Sequence, residues 1–325
     1  MSIILENMIS CEEQIGCKGE SRDNHYDVVF TVDKSFTLPL GVAVTSVLMH
    51  NENIHIYVFI DEFNPGEKER LISTVEKFSV PLTIYYVDAS GFKKFPIRGD
   101  WSVAVYFRFL AADVLMARCS RMLYVDADVI CQGSLDDLFQ MDLGEKAIAA
   151  VPDPTYLQNK DRDEYSRRIG HSGDGYFNAG IMLLDLQKWQ DMNITENAMK
   201  MLDDDPEKYV HAQDQDVLNV LFANKVYWLP VKYNTRNNPA DTYPADTALI
   251  HYSGSPKPWK EFYYSAASCS PFAEVKEQSF WTDEQMQPPV KPIEYRFMSR
   301  KYARLGNYGK WLIWQIKYIA QKIKN

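Results

Sequence analysis

The sequence predicts an α/β fold in which a mostly parallel sheet is flanked by helices and followed by a basic helical tail. Strand-like apolar runs alternate with helix-like segments along much of the chain. Several runs are apolar throughout and end on an aspartate, which is typical of parallel strands covered on both faces. At 325 residues with 46% hydrophobic content, the chain can bury a substantial core.

The predicted elements follow one another closely from residue 26 onward. Strands are expected within 26–33, 54–61, 81–88, 121–133, 175–190, 213–230 and 248–262. Helices are expected within 38–51, 66–79, 102–116 and the first part of 213–230. In such α/β sheets, ligands bind at the carboxyl ends of the strands. The aspartates that end the runs are therefore candidate site residues.

The pattern also divides the chain into four parts. Residues 1–25 are polar and irregular and are interpreted as an N-terminal extension, and residues 26–262 as the catalytic domain. Residues 263–292 read as a linker of low helical content, and residues 293–325 as a basic helical tail. From residue 291 onward, nine Lys or Arg accompany one Glu, so this end has a net charge of +8, whereas the whole chain has a net charge of −9. The body is therefore acidic, with a charge of −17.

Charge and cysteine content exclude several classes of protein. An acidic body is not expected to bind nucleic acid. Five scattered cysteines without C-x-x-C spacing disfavour zinc and redox sites and fit a reducing compartment. No apolar run reaches 18 residues, and the first residues lack the pattern of a signal peptide. We expect a protein that is neither secreted nor membrane-spanning.

Two aspartates one residue apart, Asp126 and Asp128, follow the apolar run Leu-Tyr-Val. In a strand, both carboxylates project from one face near the carboxyl end. They repel each other unless a cation offsets their charge. Three interpretations are open: a divalent metal site for a phosphorylated ligand, the nucleophile and acid of a phosphohydrolase, or a polar strand end. The order D-A-D-V-I also resembles the D-x-D-x-[TV] pattern of haloacid-dehalogenase-type phosphatases, with Ile130 at the last position, although no second acidic pair of their kind follows.

The stretch HYSGSPKPW, residues 251–259, favours the metal site. His251 offers an imidazole to a metal, and Lys257 offers an ammonium group to a phosphate. Gly254 allows close approach of the backbone, and the prolines stiffen the loop. A histidine or lysine alone is more often structural or solvated, but the pair of aspartates strengthens this interpretation. Carboxylate oxygens suit Mg²⁺ or Mn²⁺.

Six separated motifs occur in a fixed order along the chain: FTVDKSF, VYFRFLAAD, LYVDADV, GYFNAGIMLLDLQKW, QDQDVLN and HYSGSPKPW. Together they resemble the retaining GT-A glycosyltransferases of family 8, especially the bacterial lipopolysaccharide core galactosyl- and glucosyltransferases. The resemblance covers residues 26–262, about three quarters of the chain. It implies a Rossmann-like GT-A domain that binds a UDP-sugar.

The resemblance also implies roles for individual residues. Asp126, Asp128 and His251 would hold Mn²⁺ or Mg²⁺ at the diphosphate of the UDP-sugar, and Lys257 would offset charge on the departing UDP. Donor-binding positions would be Thr31, Asp33, Phe36, Arg108, Asp126, Ala127, Asp153, Asn178, Ala179, Gly254 and Lys257. Asp33 would accept a hydrogen bond from uracil, and Phe36 would stack on it. The neighbouring base-contacting position, commonly Asn in the family, is Ser35 here.

The resemblance places Asp214 and Gln215 of QDQD beside the anomeric carbon as catalytic residues. Retention of configuration would ordinarily suggest a carboxylate nucleophile and two displacements. An amide is a poor nucleophile, so front-face attack, in which the leaving phosphate oxygen takes the acceptor's proton, is the alternative. Both mechanisms stay open at this point. The segment also fits a polar helix start capped by Asp214.

Residues 308–324 predict an amphipathic helix with aromatic residues at the boundary of its two faces. Its aliphatic face consists of Leu312, Ile316, Ile319 and Ile323, and the other face carries Lys310, Lys317 and Lys324. This helix could pack on the body or lie on an anionic membrane surface. The membrane-embedded glycolipid acceptor that the resemblance implies favours the membrane.

We therefore expect a metal-dependent, retaining α-glycosyltransferase that moves glucose or galactose from a UDP-sugar to a lipopolysaccharide core oligosaccharide. It is expected in the cytoplasm, peripherally associated with the inner membrane. The alternatives are a glycogenin-like self-glucosylating transferase, a phosphohydrolase and a nucleotide-sugar binder without turnover.

Overall fold

The fold centres on an eight-stranded sheet with apolar packing on both faces, in a computed structural model that describes residues 7–16, 25–99, 101–236, 243–263 and 266–324. The strands are β1 (Ile9–Ile15), β2 (Tyr26–Val32), β3 (Ile54–Ile60), β4 (Leu82–Val87), β5 (Arg121–Val125), β6 (Val129–Cys131), β7 (Ile148–Pro152), β8 (Phe177–Asp185), β9 (Val226–Trp228), β10 (Thr235–Arg236) and β11 (Leu249–His251).

The helices lie mainly between consecutive strands and at the C-terminal end. They are α1 (Thr37–His50), α2 (Glu67–Phe78), α3 (Phe107–Leu115), α4 (Asp136–Phe139), α5 (Pro154–Leu157), α6 (Arg162–Ile169), α7 (Leu186–Asp191), α8 (Ile194–Asp204), α9 (Gln213–Leu221), α10 (Ala266–Gln278), α11 (Pro292–Arg304) and α12 (Tyr308–Lys324). Short 3-10 turns span Lys34–Phe36, Ala89–Phe92, Val103–Tyr106, Pro206–Tyr209 and Val231–Tyr233.

The large sheet has the strand order β1-β4-β3-β2-β5-β8-β7-β9. Strands β4, β3, β2 and β5 are mutually parallel, and so are β7 and β9. Strand β8 runs antiparallel to both β5 and β7, and β1 runs antiparallel to β4. A small sheet, β10-β11-β6, lies separately. The predicted mostly parallel sheet with flanking helices is confirmed.

The apolar strand residues supply two cores, one on each face of the sheet. Val28 and Phe30 of β2 are fully buried in one core, and Val29 between them is fully buried in the other. This alternation is the strand periodicity of two, with both faces covered. It explains why β2, β3 and β5 are apolar almost without interruption.

The N-terminal part of the chain differs from the prediction. Residues 1–25 were expected to be irregular, but β1 pairs antiparallel with β4 from Ile9 to Ile15 and extends the sheet. Its sequence is polar because an edge strand is largely exposed. Glu12 and Glu13 form ion pairs with Arg118 and Lys68, at 2.7 and 2.5 Å. Charged side chains of this kind protect a sheet edge from further pairing.

The expected linker of low helical content is also a wrong prediction over part of its length. Within residues 263–292, α10 forms from Ala266 to Gln278 although it contains Pro271. Tertiary packing explains this helix, since Phe272 and Val275 are buried in the core. Further along, Trp281 packs against Gly41 of α1, where a Cβ would lie 2.2 Å from the indole. The segment is therefore packed on the body, while the functional division of the chain stays a prediction.

The predicted helical C-terminal end is confirmed as two helices, α11 and α12. They pack on each other through the rings of Tyr295 and Trp314, 5.7 Å apart, and through a 3.0 Å hydrogen bond from Ser299 to Gln315. Among the residues that the structure describes, no helix combines the length and the hydropathy needed to cross a membrane.

Candidate functional site

One edge of the large sheet gathers most of the predicted site residues. Asp33, Asp126 and Asp153 directly follow β2, β5 and β7. Asn178 and Ala179 lie at the start of β8, which runs antiparallel to β5 and β7 and so begins at the edge where they end. The carboxyl ends of the parallel strands and the start of β8 therefore form a single polar edge, which is where α/β sheets bind ligands.

The small sheet brings His251 to the pair of aspartates. Its strand β11 pairs with β6 so that His251 lies opposite Val129, the residue after Asp128. One potential ligand atom each from Asp126, Asp128 and His251 lies within 4.8 Å of the others. His251 Nε2 is 3.2 Å from Asp128 Oδ1 and 3.8 Å from Asp126 Oδ2. The predicted metal trio thus converges in space.

Lys257 joins this cluster from the following loop. Its Nζ lies 2.5 Å from Asp128 Oδ2 and 3.0 Å from the carbonyl oxygen of Tyr252. Burial alone would raise the pKa of Asp128, but Lys257 and His251 lower it below the ordinary value. Asp128 is therefore held as a carboxylate, the form that a cation binds.

Arg108 connects the cluster to the rest of the edge. It lies on α3 and is 3% exposed. Its guanidinium donates to the carbonyl oxygen of Ala179 at 2.8 Å and to Tyr124 Oη at 2.9 Å. It also contacts Asp126 at 3.2 Å and Asp214 at 2.9 Å. A buried guanidinium between two carboxylates fixes the position of both.

Asp214 lies at the start of α9 with only 2% of its surface exposed. Burial raises the pKa of its carboxyl to about 7, although Arg108 acts in the opposite direction. Because the carboxylate is occupied by Arg108, Asp214 is placed to hold this arginine. Its predicted catalytic role is not tested by this arrangement and stays a prediction.

Gln215 lies in a dense set of hydrogen bonds. Its Oε1 accepts from Asn178 Nδ2 at 3.1 Å and from Ala179 N at 3.0 Å. Its Nε2 donates to Asp153 Oδ2 at 3.3 Å and to Tyr176 Oη at 3.4 Å. The orientation of this amide is therefore fixed, with the oxygen turned toward β8.

Asp33 and Phe36, which are predicted to hold the uracil base, follow β2 at one end of this polar edge. Asp33 Oδ1 accepts from Ser35 N at 2.8 Å and from Ser35 Oγ at 2.6 Å, and it caps the turn Lys34–Phe36. The ring of Phe36 contacts that of Trp259, with centroids 5.5 Å apart, so it lies beside the loop that carries Lys257. Base binding by Asp33 and Phe36 stays a prediction.

The remaining predicted donor-binding residues differ in how they relate to the cluster. Thr31 is connected through Tyr124, whose hydroxyl lies 2.9 Å from Thr31 Oγ1 and donates to Asp126 at 2.8 Å. Ala127 is buried between the two aspartates. Gly254 is exposed, has φ +84°, and has no atom within 4 Å of the Cβ position, so its turn requires glycine and leaves space above the backbone.

Two family models match the chain. The model of glycosyl transferase family 8 matches residues 27–262, and the model of the family 8 C-terminal region matches residues 266–322. The chain belongs to glycosyl transferase family 8. The predicted family and the predicted class of enzyme, a hexosyltransferase, are thereby confirmed.

Two similar proteins cover more than nine tenths of the chain, and a similar solved structure covers about four fifths of it. It is 30% identical over 313 residues to the lipopolysaccharide 1,3-galactosyltransferase of Salmonella typhimurium, covering 92% of this chain and 91% of that one. It is 27% identical over 323 residues to the lipopolysaccharide glucosyltransferase WaaO of Escherichia coli, with 95% and 94% covered. The crystal structure of the galactosyltransferase LgtC in complex with donor and acceptor sugar analogs matches at TM-score 0.69 and 25% identity, over 83% of this chain and 99% of that one.

The acidic cluster of this family 8 chain fits a divalent cation. Two carboxylates and an imidazole supply oxygen and nitrogen ligands. Gly180 of β8 gives them room to converge, since a Cβ there would lie 2.3 Å from His251 Cε1 and 2.8 Å from Asp126 Oδ2. The residues of the predicted metal site therefore have the chemistry that a divalent cation requires.

Several residues at this edge of the sheet were not assigned from the sequence. Tyr124 precedes Asp126 by two positions in a strand, so the periodicity of two could have placed both on one face. Gly180 continues the motif that contains Asn178 but was not assigned. Asn234 directly precedes β10 and Arg236 ends it, within a stretch that carries no motif. Only tertiary structure brings Asn234 to His251 and Arg236 to Asp153.

Proposed function

We propose that this protein transfers glucose or galactose from UDP-glucose or UDP-galactose to a lipopolysaccharide core oligosaccharide, with retention of configuration and with Mn²⁺ or Mg²⁺ as cofactor. The observation that carries the proposal is the convergence of Asp126, Asp128 and His251 beside Arg108 and Gln215 at the edge of the sheet. The names of the similar lipopolysaccharide galactosyl- and glucosyltransferases support the substrate class.

The chemistry follows from the charges at this edge. A divalent cation held by Asp126, Asp128 and His251 would supply positive charge at the diphosphate of the donor. Lys257, now bonded to Asp128, is close enough to the cluster to offset further charge as UDP leaves. Arg108 keeps Asp126 in place from the buried side. Departure of UDP is thus assisted by positive charge.

The environment of Gln215 favours front-face attack over a covalent intermediate on this residue. Its Oε1 already accepts two hydrogen bonds, from Asn178 and Ala179, and an amide is a weak nucleophile. We therefore assign Gln215 to positioning the donor hexose, together with Asp153, to which its amide group donates. In this mechanism the acceptor's proton passes to the leaving phosphate oxygen.

The C-terminal helices support a peripheral position at the inner membrane, facing the cytoplasm. The predicted aliphatic face of α12 is not covered by α11, because its members are exposed by about half or more: Leu312 51%, Ile316 58%, Ile319 47% and Ile323 79%. Basic side chains accompany this face along both helices. Exposed apolar groups with lysines and arginines suit an anionic bilayer surface and a glycolipid acceptor.

The test is release of UDP by the purified full chain from a panel of UDP-sugars, with Mn²⁺ or Mg²⁺ and truncated core oligosaccharides. We expect release with UDP-glucose or UDP-galactose that depends on both the metal and the acceptor. Asp128→Asn and His251→Ala should abolish it while leaving the fold intact. Activity of either variant equal to wild type at low Mn²⁺ would contradict the metal assignment.

Three further measurements on the same purified chain separate the alternative functions. Hexose incorporated into the protein itself without an acceptor would indicate self-glucosylation. Inorganic phosphate released from phosphorylated sugars would indicate a phosphohydrolase. Binding of UDP-sugar without release of UDP under any condition would indicate a nucleotide-sugar binder.

A further inference from the structure

The hydrogen bonds around His251 continue as one buried chain toward Gln215. His251 Nδ1 lies 3.0 Å from Asn234 Oδ1, and Asn234 Nδ2 lies 2.9 Å from Asn178 Oδ1. Asn178 Nδ2 in turn lies 3.1 Å from Gln215 Oε1. Asn234, which no motif marked, is 4% exposed. It is the link between the metal cluster and the two amides of the donor site.

The direction of these hydrogen bonds follows from two backbone amides. Gly180 N lies 3.2 Å from Asn178 Oδ1, and Ala179 N lies 3.0 Å from Gln215 Oε1. A backbone N–H can only donate, so the atom facing it must be the carbonyl oxygen of the side chain. The orientation of a side-chain amide is often ambiguous, but here the backbone fixes that of Asn178 and Gln215.

The fixed amide of Asn178 determines the next two groups. Because Asn178 Oδ1 is an acceptor, Asn234 must turn its NH₂ group toward it. The oxygen of Asn234 then faces His251 Nδ1, and this oxygen can only accept. His251 must therefore carry a proton on Nδ1. In the neutral imidazole this leaves the lone pair on Nε2, the atom that faces Asp126 and Asp128.

We propose that Asn234 is a positioning residue for the metal site, which fixes the ring orientation and the tautomer of His251 so that Nε2 is available to a divalent cation. Histidine ligands usually donate their second ring N–H to a fixed acceptor, and loss of that acceptor lowers metal affinity by about 10- to 100-fold. The proposal rests on the proposed function, because it takes His251 as a ligand. Through Asn178, the same residue also connects the metal cluster to Gln215.

The main test compares two substitutions of Asn234 by calorimetric titration of the full chain with Mn²⁺ alone. Asn234→Leu removes the acceptor opposite His251 Nδ1, and we expect Mn²⁺ affinity to fall by about 10- to 100-fold. Asn234→Asp keeps an acceptor oxygen opposite His251 Nδ1, and a carboxylate is itself a usual partner of metal-binding histidines. It replaces the donor to Asn178 Oδ1 by a second, negatively charged acceptor oxygen. We expect it to bind Mn²⁺ close to wild type.

A matched control is Asn51→Leu, which removes another buried side-chain amide. Asn51 is 8% exposed, donates to the carbonyl oxygen of Val47 and accepts from Leu135 N. We expect this variant to lose stability without a change in Mn²⁺ affinity. An equal loss of Mn²⁺ affinity in Asn51→Leu and Asn234→Leu would mean that general destabilisation explains both, and would overturn the proposal.

A second measurement needs no variant and so does not depend on whether Asn234→Leu folds. In long-range ¹H–¹⁵N spectra of the Mg²⁺-saturated wild type, His251 Nδ1 should carry a slowly exchanging, hydrogen-bonded proton. The proposal is overturned if this proton exchanges as freely as that of an exposed histidine, if Asn234→Leu binds Mn²⁺ as tightly as wild type, or if Asn234→Asp loses as much affinity as Asn234→Leu. A wild type that binds no Mn²⁺ would instead overturn the metal role in the proposed function, and this proposal with it.

Discussion

Gly180→Ala should remove divalent metal binding by a steric effect alone. The new Cβ would lie 2.3 Å from His251 Cε1 and 2.8 Å from Asp126 Oδ2. An ordinary contact begins at 3.4 Å, so the imidazole would have to retreat by about 1.1 Å, whereas metal–ligand distances tolerate about 0.2 Å. The ring cannot move freely, because it is 3% exposed and bonded to Asn234.

The expected loss of Mn²⁺ affinity for Gly180→Ala is about 100-fold or more, equivalent to about 2.7 kcal/mol. Overpacking at a buried position costs about 1–3 kcal/mol of stability, which a folded domain normally tolerates. Calorimetric titration with Mn²⁺ gives the first quantity, and urea unfolding gives the second. Gly133→Ala is the matched control, since its Cβ would meet nothing within 4 Å. Mn²⁺ binding by Gly180→Ala close to that of Gly133→Ala would refute the argument.

Three further predictions concern catalysis, binding to the membrane surface and the dependence of stability on pH. Gln215→Ala should lower kcat by about 10²- to 10³-fold with donor affinity partly retained, because fixed hydrogen-bond donors act mainly in the transition state; an undiminished kcat in steady-state assays would remove Gln215 from the mechanism. Deleting residues 308–324 should leave transfer to a soluble oligosaccharide nearly unchanged but weaken sedimentation with anionic vesicles, since each Lys near such a surface contributes about 1 kcal/mol. If the truncated chain unfolds or sediments like the full chain, the membrane role fails. Burial raises the pKa of Asp214 to about 7, above an unfolded value of about 4, so stability from this group should fall as pH rises through that window. Asp214→Asn should flatten this dependence in urea unfolding between pH 4 and 7, and an unchanged slope would contradict the assignment.

Local signals in the sequence predicted the sheet and marked several of the residues that the structure gathers at its edge. The apolar runs marked β2, β3 and β5, and the aspartates at their ends marked the edge of the sheet. The motifs that carry Arg108, Asn178 and Gln215 kept their order along the chain, so the family resemblance could assign them. Such features depend on neighbours a few positions away and are visible without tertiary structure.

Other features depend on contacts that no local pattern shows. Strand β1 reads as a polar extension because its edge position leaves most side chains exposed. Helix α10 contains Pro271 and two serines, so its helical propensity is poor, and burial of Phe272 and Val275 overrides that preference. Asn234 becomes meaningful only when the pairing of β10 with β11 brings it to His251.

The most direct test of the proposed reaction is the anomeric configuration of the product. The full chain would be incubated with UDP-glucose or UDP-galactose, Mn²⁺ and a truncated lipopolysaccharide core acceptor, and the new linkage would be read by NMR from its anomeric proton coupling. We expect a single added hexose with an α linkage, formed only when the metal is present. A β linkage, or no transfer of either hexose in the presence of metal and acceptor, would contradict the proposed function.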